Sequence, residues 1–307
     1  MSIVIFGSIN MDLVAHASRI ARPGETIFGS DFSTVPGGKG ANQAVAVARL
    51  GGDARMLGAV GDDGFGHESR TSLASYGVET SGIVTSPGAT GVALILLDAH
   101  GENSITVISG ANMRLTHTHL DTVAAALINA THLLLQLEIP IELVIAAAQM
   151  ARARGVTVIL DPAPAPEGGI PAELYAACDV ITPNETETAL LTGIEPHDLS
   201  RCAAAAERLH QRGCAHVIIK RGSQGVYWSH AGTGSIVPGF VVPVVDTVAA
   251  GDCFNGALAV SLAEGILMAL GLRFATASAA MSVTKPGAQP SMPSRAEVEK
   301  FLEQHRG

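Results

Sequence analysis

The stretch THLLLQLEIPIELVIAAAQMARARGVTVILDP, residues 131–162, decides the fold. Residues 131–137 form an apolar run of the kind that a strand buried on both faces requires. Residues 141–154 are Ala-rich and read as a helix, and residues 156–160 return to a strand that ends at Asp161-Pro162. Strands separated by helices of this length predict a parallel sheet covered on both faces, joined by right-handed crossovers.

The same rhythm extends in both directions. Strands are expected over 2–6, 54–60, 180–182 and 216–220, and helices over 40–50, 66–76 and 201–212. Gly51-Gly52 and Gly77 supply helix stops. Two stretches depart from the rhythm. Residues 12–36 hold short alternating segments around Pro23-Gly24. Residues 90–108 read as a hairpin, with strands over 91–97 and 104–108 and a turn at Asp98-Ala99-His100-Gly101. The two are expected to build a small antiparallel sheet standing off the main one, a candidate lid. Extension of the main sheet's edge is the alternative. No repeat, low-complexity tract or linker divides the chain, so residues 1–307 are expected to form a single α/β domain.

Composition narrows the function. Hydrophobic residues make up 47% and charged residues 15% of the 307, which excludes a disordered chain. Twenty-eight acidic against 19 basic residues give −9, which disfavours a nucleic-acid binder. An acidic chain can still hold a small anion in a local nest of backbone N–H groups. Cys178, Cys202, Cys214 and Cys253 contain no CxxC pair and are expected to be reduced thiols of a cytoplasmic protein. The start, from Met1 to Gly7, lacks a basic region and reads as a first strand rather than a signal peptide. The more apolar stretches carry charges such as Glu138 and Glu142, so no membrane span is expected.

Three motifs carry chemistry. In Asp246-Thr247-Val248-Ala249-Ala250-Gly251-Asp252-Cys253-Phe254-Asn255-Gly256, small residues precede a helix whose first turn attracts an anion. A carboxylate beside a phosphate would be repelled, unless Asp252 is the base for the hydroxyl that attacks that phosphate. A plain helix N-terminus with a dipole-favoured Asp252 is the other reading. In Pro36-Gly37-Gly38-Lys39-Gly40-Ala41-Asn42-Gln43, glycines bring backbone close to a ligand, while Lys39 and Asn42 can bond polar groups. No Ser or Thr follows the Lys, so this is not a Walker A loop. The third motif, Gly7-Ser8-Ile9-Asn10-Met11-Asp12, follows the first strand at the edge where open α/β sheets bind ligands. Asn10 and Asp12 there suit sugar hydroxyls. Glu138 occupies an equivalent edge. Asn184 and Glu187 suit water around Mg²⁺ and equally form a capping box. Gly222-Ser223-Gln224-Gly225 either lets a nucleotide lie against backbone or turns a hairpin.

Together these motifs resemble those of the PfkB-type carbohydrate and nucleoside kinases. Gly7 to Asp12, Gly37 to Ala44 continuing to Gly61-Asp62-Asp63, and Asp246 to Gly256 match in order. Gly110-Ala111-Asn112, Gln136-Leu137-Glu138, Pro162-Ala163-Pro164-Ala165, Thr182-Pro183-Asn184-Glu185 and Gly287-Ala288-Gln289-Pro290-Ser291 are also similar, so the likeness spans essentially the whole chain. It implies a three-layer α/β sandwich with a central, mostly parallel sheet and a small β lid, which in this family also builds a homodimer. It implies ATP-dependent phosphorylation of D-ribose at the 5-hydroxyl; deoxyribose or a nucleoside is the alternative acceptor, and a non-catalytic sugar or nucleotide sensor a further one.

By the resemblance, Asp252 would be the general base, and Ala249, Ala250, Gly251 and Asp252 the anion hole. Asn10, Asp12, Gly38, Lys39, Asn42 and Glu138 would hold the sugar. Asn184, Lys220, Arg221, Gly222, Ser223, Gln224, Gly225, Gly251 and Thr276 would contact ATP. Glu187 would reach Mg²⁺ through water. Asp246, Val248, Ser282, Lys285, Gly287 and Ser291 would hold K⁺. One position departs from the pattern: the wider family usually has Gly where this chain has Ala249.

Overall fold

The structure is a computed structural model that describes residues 2–100 and 102–305. Met1 and Gly101, the last residue of the expected turn, lie outside the described residues. The first part of the chain runs β1 (Ser2–Phe6), β2 (Asn10–Ala17), β3 (Gly29–Gly37), α1 (Lys39–Arg49), β4 (Asp53–Gly61), α2 (Gly64–Ser75) and β5 (Ile83–Ser86). It continues through β6 (Gly91–Leu97), β7 (Asn103–Ile108), α3 (Leu120–Ala126), β8 (Ala130–Leu135), α4 (Ile141–Arg152), β9 (Thr157–Leu160), α5 (Ala172–Ala177) and β10 (Val180–Ile181). The remainder is α6 (Glu185–Thr192), α7 (Leu199–Gln211), β11 (His216–Lys220), β12 (Val226–His230), β13 (Thr233–Val237), α8 (Ala250–Ala263), α9 (Met268–Ser282) and α10 (Arg295–Gln304).

Among the described residues, nine strands form one sheet in the order β13-β12-β11-β10-β9-β8-β1-β4-β5. The strands from β5 to β11 are parallel, and β12 and β13 extend the edge antiparallel. Alternation along each strand explains the layers. Ile3, Ile5, Leu134, Ile159 and Ile218 point to one face, where they meet α1, α8 and α9. Val4, Phe6, Leu133, Leu135, Val158 and Val217 point to the other, where they meet α4, α5 and α7. Each fully buried aliphatic side chain of this kind contributes roughly 1.5–3 kcal/mol. The apolar run around residue 134 is therefore apolar throughout because neither face meets water.

The four remaining strands form a second sheet, β3-β2-β6-β7. The expectation of a wholly antiparallel sheet needs correction: β2 and β6 pair in parallel, flanked by antiparallel β3 and β7. The pairing begins at Asn10 and Gly91. Both strands leave the body of the molecule from that point, so they run in the same direction. Asp63 holds this base together. Its carboxylate caps α2 through Gly66 N at 2.9 Å and accepts from Thr90 N at 2.9 Å, while Thr90 Oγ1 accepts from Gly61 N. Burial and these hydrogen bonds act on Asp63 in opposite senses, and the bonds win, holding its carboxyl below the usual carboxylate range.

The polar turns are also accounted for. The glycine-rich turn at 222–225 joins antiparallel β11 and β12. The helix expected over 201–212 begins two residues earlier, because Asp198 caps it through Arg201 N at 2.8 Å.

Candidate active site

The site forms where the carboxyl ends of β1, β8, β9 and β11 meet the N-termini of α1 and α8. Glycine makes that approach possible. A Cβ on Gly40 would lie 2.8 Å from the backbone of Gly7, so only glycine lets α1 start against the end of β1. Gly38 has φ +90°, and a Cβ there would meet Asn10 N at 2.6 Å. Farther along, a Cβ on Gly256 would lie 2.6 Å from that of Ala46, so α1 and α8 cross closely there. That crossing delivers Asn42 and Gln43 to Asp252.

Asp252 is buried in the first turn of α8. Its Oδ2 accepts from Asn42 Nδ2 at 3.0 Å and its Oδ1 from Gln43 Nε2 at 3.2 Å. The same Gln43 amide donates to Asp161 Oδ2 at 3.2 Å, and its Oε1 accepts from Gln136 Nε2 at 2.6 Å. Lys220 Nζ closes the series on Asp161 Oδ1 at 2.9 Å. Burial pushes the Asp252 carboxyl up to about 6; Lys39 opposes the rise, Asp161 adds to it, and the Asn42 and Gln43 amides oppose it. Burial pulls the Lys39 ammonium down, but Asp252, Asp161, Glu138 and Glu187 together hold it above its ordinary value. A carboxyl poised near 6 beside a fixed cation is suited to accept a proton at neutral pH.

The N–H groups at the start of a helix have no intrahelical acceptor and carry its positive dipole end. In α8 they follow Ala249, which sits at φ 58°, ψ 13°. A left-handed conformation is costly for a residue with a Cβ, and such strain gathers at ligand clamps.

The sugar-type residues converge beside Asp252. Asn112 accepts from Ile9 N at 2.9 Å and donates to Ile9 O at 3.1 Å and Asn10 Oδ1 at 2.7 Å. Its bond to Oδ1 leaves the Asn10 amide nitrogen as the outward donor. Glu138 accepts from Ser8 Oγ and from Lys39 N, the latter at 3.2 Å. Asp12 lies against Gly37, where a Cβ would come within 2.4 Å of its carboxylate. Burial, with Glu138 and Asp252 adding, pushes Asp12 up to about 7.

The nucleotide-type and cation-type residues occupy two further groups. Asn184 and Glu187 form a complete capping box on α6. Burial and Asp161 raise the Glu187 carboxyl, opposed by Lys220. Two crowded carboxylates, one of them already accepting two bonds from Asn184, suit a hydrated divalent cation held through water. Gly222, Ser223 and Gln224 are exposed, with Gly225 buried behind them. Arg221 is directed away from them, to His197 O at 3.4 Å. Thr276 is buried on α9 and donates its hydroxyl to Leu272 O at 2.8 Å.

Asp246 accepts from Val248 N and Gly287 N, both at 2.9 Å, and so ties the loop before α8 to the loop after α9. Ser282 and Ser291 bond their own segments there, to Ala279 O and Ala288 O. The Lys285 ammonium pairs with Glu297 at 3.0 Å, so only its carbonyl belongs to a donor set for a monovalent cation. A carboxylate gathering two carbonyl-bearing loops is a chemically fitting cradle for such an ion.

Gln43, Asn112, Gln136 and Asp161 connect these groups, and reading residue types alone did not single them out. Their signal was present as polar residues inside otherwise apolar strand and helix ends.

The model of the family described as pfkB family carbohydrate kinase matches residues 1–295. A ribokinase of Haemophilus influenzae is 42% identical over 303 residues, covering 98% of each chain. A deoxyribokinase of Salmonella typhi is 36% identical over 303 residues, 98% of this chain and 99% of its own. The structure of Arabidopsis thaliana ribokinase complexed with ribose and ATP superposes with a TM-score of 0.89 at 36% identity, covering 98% of each chain.

Proposed function

This chain belongs to the pfkB family of carbohydrate kinases, and we propose that it transfers the γ-phosphoryl group of ATP to the 5-hydroxyl of D-ribose, giving ADP and D-ribose 5-phosphate. The observation that carries the reading is the buried Asp252 carboxylate, held by two amides in the first turn of α8. Asp252 takes the proton of the attacking hydroxyl. The N–H groups of residues 249–252 hold the transferred phosphoryl group, as positioned dipoles do for charge that develops in a transition state. Asn10, Asp12, Gly38, Lys39, Asn42 and Glu138 hold the sugar. Asn184, Gly251, Thr276, the Lys220 side chain and the backbone of residues 221–225 hold the nucleotide.

The donor sets support two cations. Glu187 would hold Mg²⁺ through water, where the ion would neutralise phosphate charge. Asp246 and the carbonyls of the two loops it joins would hold K⁺. Phe32, Leu94, Ile105 and Val107 leave apolar surface exposed on the small sheet. That supports a lid which also pairs with a second copy of the chain. Four buried free cysteines support a reducing compartment such as the cytoplasm; no described helix is long and apolar enough to cross a membrane.

A deoxyribokinase activity is the second reading, favoured by the 36% identical relative of that name. A site built to bond hydroxyls rejects acceptors that lack them, so Asn10 and Asp12 support ribose. A coupled ADP-release assay over ribose, deoxyribose and a nucleoside panel, with and without K⁺, tests both. Ribose should give the highest kcat/KM. Asp252→Asn should lower kcat by about 10³-fold without unfolding the protein, the scale of a lost general base. Near-normal turnover in a folded Asp252→Asn enzyme refutes the assigned mechanism.

A further inference from the structure

We infer that Lys220 is a catalytic cation, acting on the phosphoryl group in flight, and that Asp161 is the residue that positions it. The inference rests on the kinase reading above and goes beyond it, because nucleotide contact alone gives Lys220 no part in the chemical step.

The placement of the ammonium is specific. The backbone of Lys220 is fixed by its N–H bond to Pro183 O at 2.8 Å. Its side chain then crosses toward α8. Nζ lies 2.9 Å from Asp161 Oδ1, and it is the one heavy atom a Cβ on Gly251 would meet, at 3.3 Å. Lys220 therefore stands over the first turn of α8, where the helix N–H groups point. A Cβ at 251 would ask the ammonium to give by only a few tenths of an ångström, so the contact marks where the ammonium stands.

The exposure of the pair points the same way. The Asp161 side chain is 3% exposed and that of Lys220 14%. The carboxylate is sealed, whereas the lysine side chain keeps some exposure. An ammonium has three N–H donors, and the Asp161 bond takes one. A buried ion pair gives little stability over an apolar pair of the same shape, so a purely structural purpose explains this placement poorly.

Its value in the reaction follows from the charge movement. As the hydroxyl oxygen forms its bond to the γ-phosphorus, the bond from that phosphorus to the ADP oxygen breaks, and the proton goes to Asp252. Negative charge is spread over the oxygens of the transferring group and grows on the departing ADP oxygen. A fixed ammonium beside the helix N-terminus stabilises that charge with no reorganisation during the step. Asp161 also shares the Gln43 amide with Asp252, so the cation and the base are registered to each other through one side chain.

Steady-state kinetics with ribose and ATP test this on Lys220→Met, Lys220→Arg and Asp161→Asn, each checked for folding by thermal melting. Lys220→Met should lose about 100-fold in kcat, the scale of a removed transition-state donor, with the ribose KM within twofold. Lys220→Arg should recover at least tenfold of that loss. Asp161→Asn should lower kcat about tenfold with the same KM pattern. A folded Lys220→Met enzyme within threefold of wild-type kcat overturns the inference. If Lys220→Met does not fold, wild-type kcat in Asp161→Asn overturns it instead, and the stated loss supports it. A wild-type protein with no activity on any sugar refutes the kinase reading itself, a different outcome from active wild type with indifferent variants.

Discussion

Strand β11 carries polar groups at both ends, and the two ends are built differently. At its amino end, His216 stacks on His230 with ring centroids 4.0 Å apart and accepts from Trp228 Nε1 at 3.2 Å. His230 pairs with Ala215 O and His210 with Cys214 O, while Asp179 accepts from Val158 N. These polar side chains have backbone partners or ring neighbours and closed bonding. At its carboxyl end, Lys220 meets Asp161, and Asp161 and Asp252 share a single amide. Among the described residues, the buried Asn42 Oδ1 and Gln136 Oε1 atoms have no hydrogen-bond partner. Side chains at this end are held almost wholly by other side chains, with donors and acceptors left over. A closed network is architecture; an open one is prepared for something to arrive.

Removing the shared amide tests the carboxyl end most directly. If Asp252 is the base it must be ionised to work, so the proposed mechanism predicts that kcat falls as pH drops through about 6, the value to which Asp252 is raised. Gln43 opposes that rise. Gln43→Met keeps the bulk and removes the donor, so it should move the acid limb of kcat upward and cost about tenfold in rate at pH 6. A limb unmoved in the variant separates the amide from the base.

The amino end should respond in stability and not in rate. Burial, then His230, depresses His216 from 6.5 to about 4, with Asp179 opposing, and burial likewise takes His132 to about 4. Between those values the unfolded chain binds more protons than the native one, so stability falls as pH drops from 6.5 toward 4. His216→Leu should flatten that loss in thermal melts run from pH 7 to pH 4 and leave kcat at neutral pH unchanged. Lost turnover would place the histidine stack within the catalytic machinery.

Asp12 offers a smaller effect on the sugar side. Its carboxyl is raised to about 7, so ribose should meet an acceptor above that pH and an increasingly protonated group below it. The ribose KM should rise as pH falls from 8 to 6, and Asp12→Asn should remove the dependence. A wild-type KM constant over that window contradicts the assignment.

These contrasts also explain what could be read from the sequence. The parallel sheet was legible because residues 133–135 and 158–160 are continuously apolar, so that both faces of the strand are covered, and a run of that kind fits few other settings. Asp252, Lys39 and Asn42 were legible because glycines and small residues flank them. The parallel pairing of β2 with β6 was not, since pairing partners far apart in sequence leave no local periodicity. Gln43, Gln136 and Asp161 were hidden for a related reason. Gln136 and Asp161 end ordinary apolar strands and Gln43 closes a motif read for its glycines; their importance comes from Gln43 meeting both of the others in space.

The two alanines with positive φ extend the comparison to the backbone. Ala249 precedes α8 at φ 58°, and Ala231 sits at the exposed tip between β12 and β13 at φ 49°, followed by Gly232 at φ 76°. Two successive positive φ values in a two-residue hairpin favour Asn-Gly. Ala231→Asn should therefore stabilise the protein by up to about 1 kcal/mol, a few degrees at most in Tm, with kcat unchanged. At Ala249 three terms oppose. Glycine relieves roughly 1–2 kcal/mol of left-handed strain, gives back about 0.4–1 kcal/mol of unfolded-chain entropy, and removes a methyl worth about 0.8 kcal/mol when fully buried. Ala249 packs only partly buried against the core, so the sum lies near zero. Ala249→Gly should shift Tm less than Ala231→Asn does and keep kcat within twofold. A tenfold fall in kcat with an unchanged Tm would show instead that the methyl stiffens the first turn of α8, and that the strain at this end of the molecule serves the phosphoryl site.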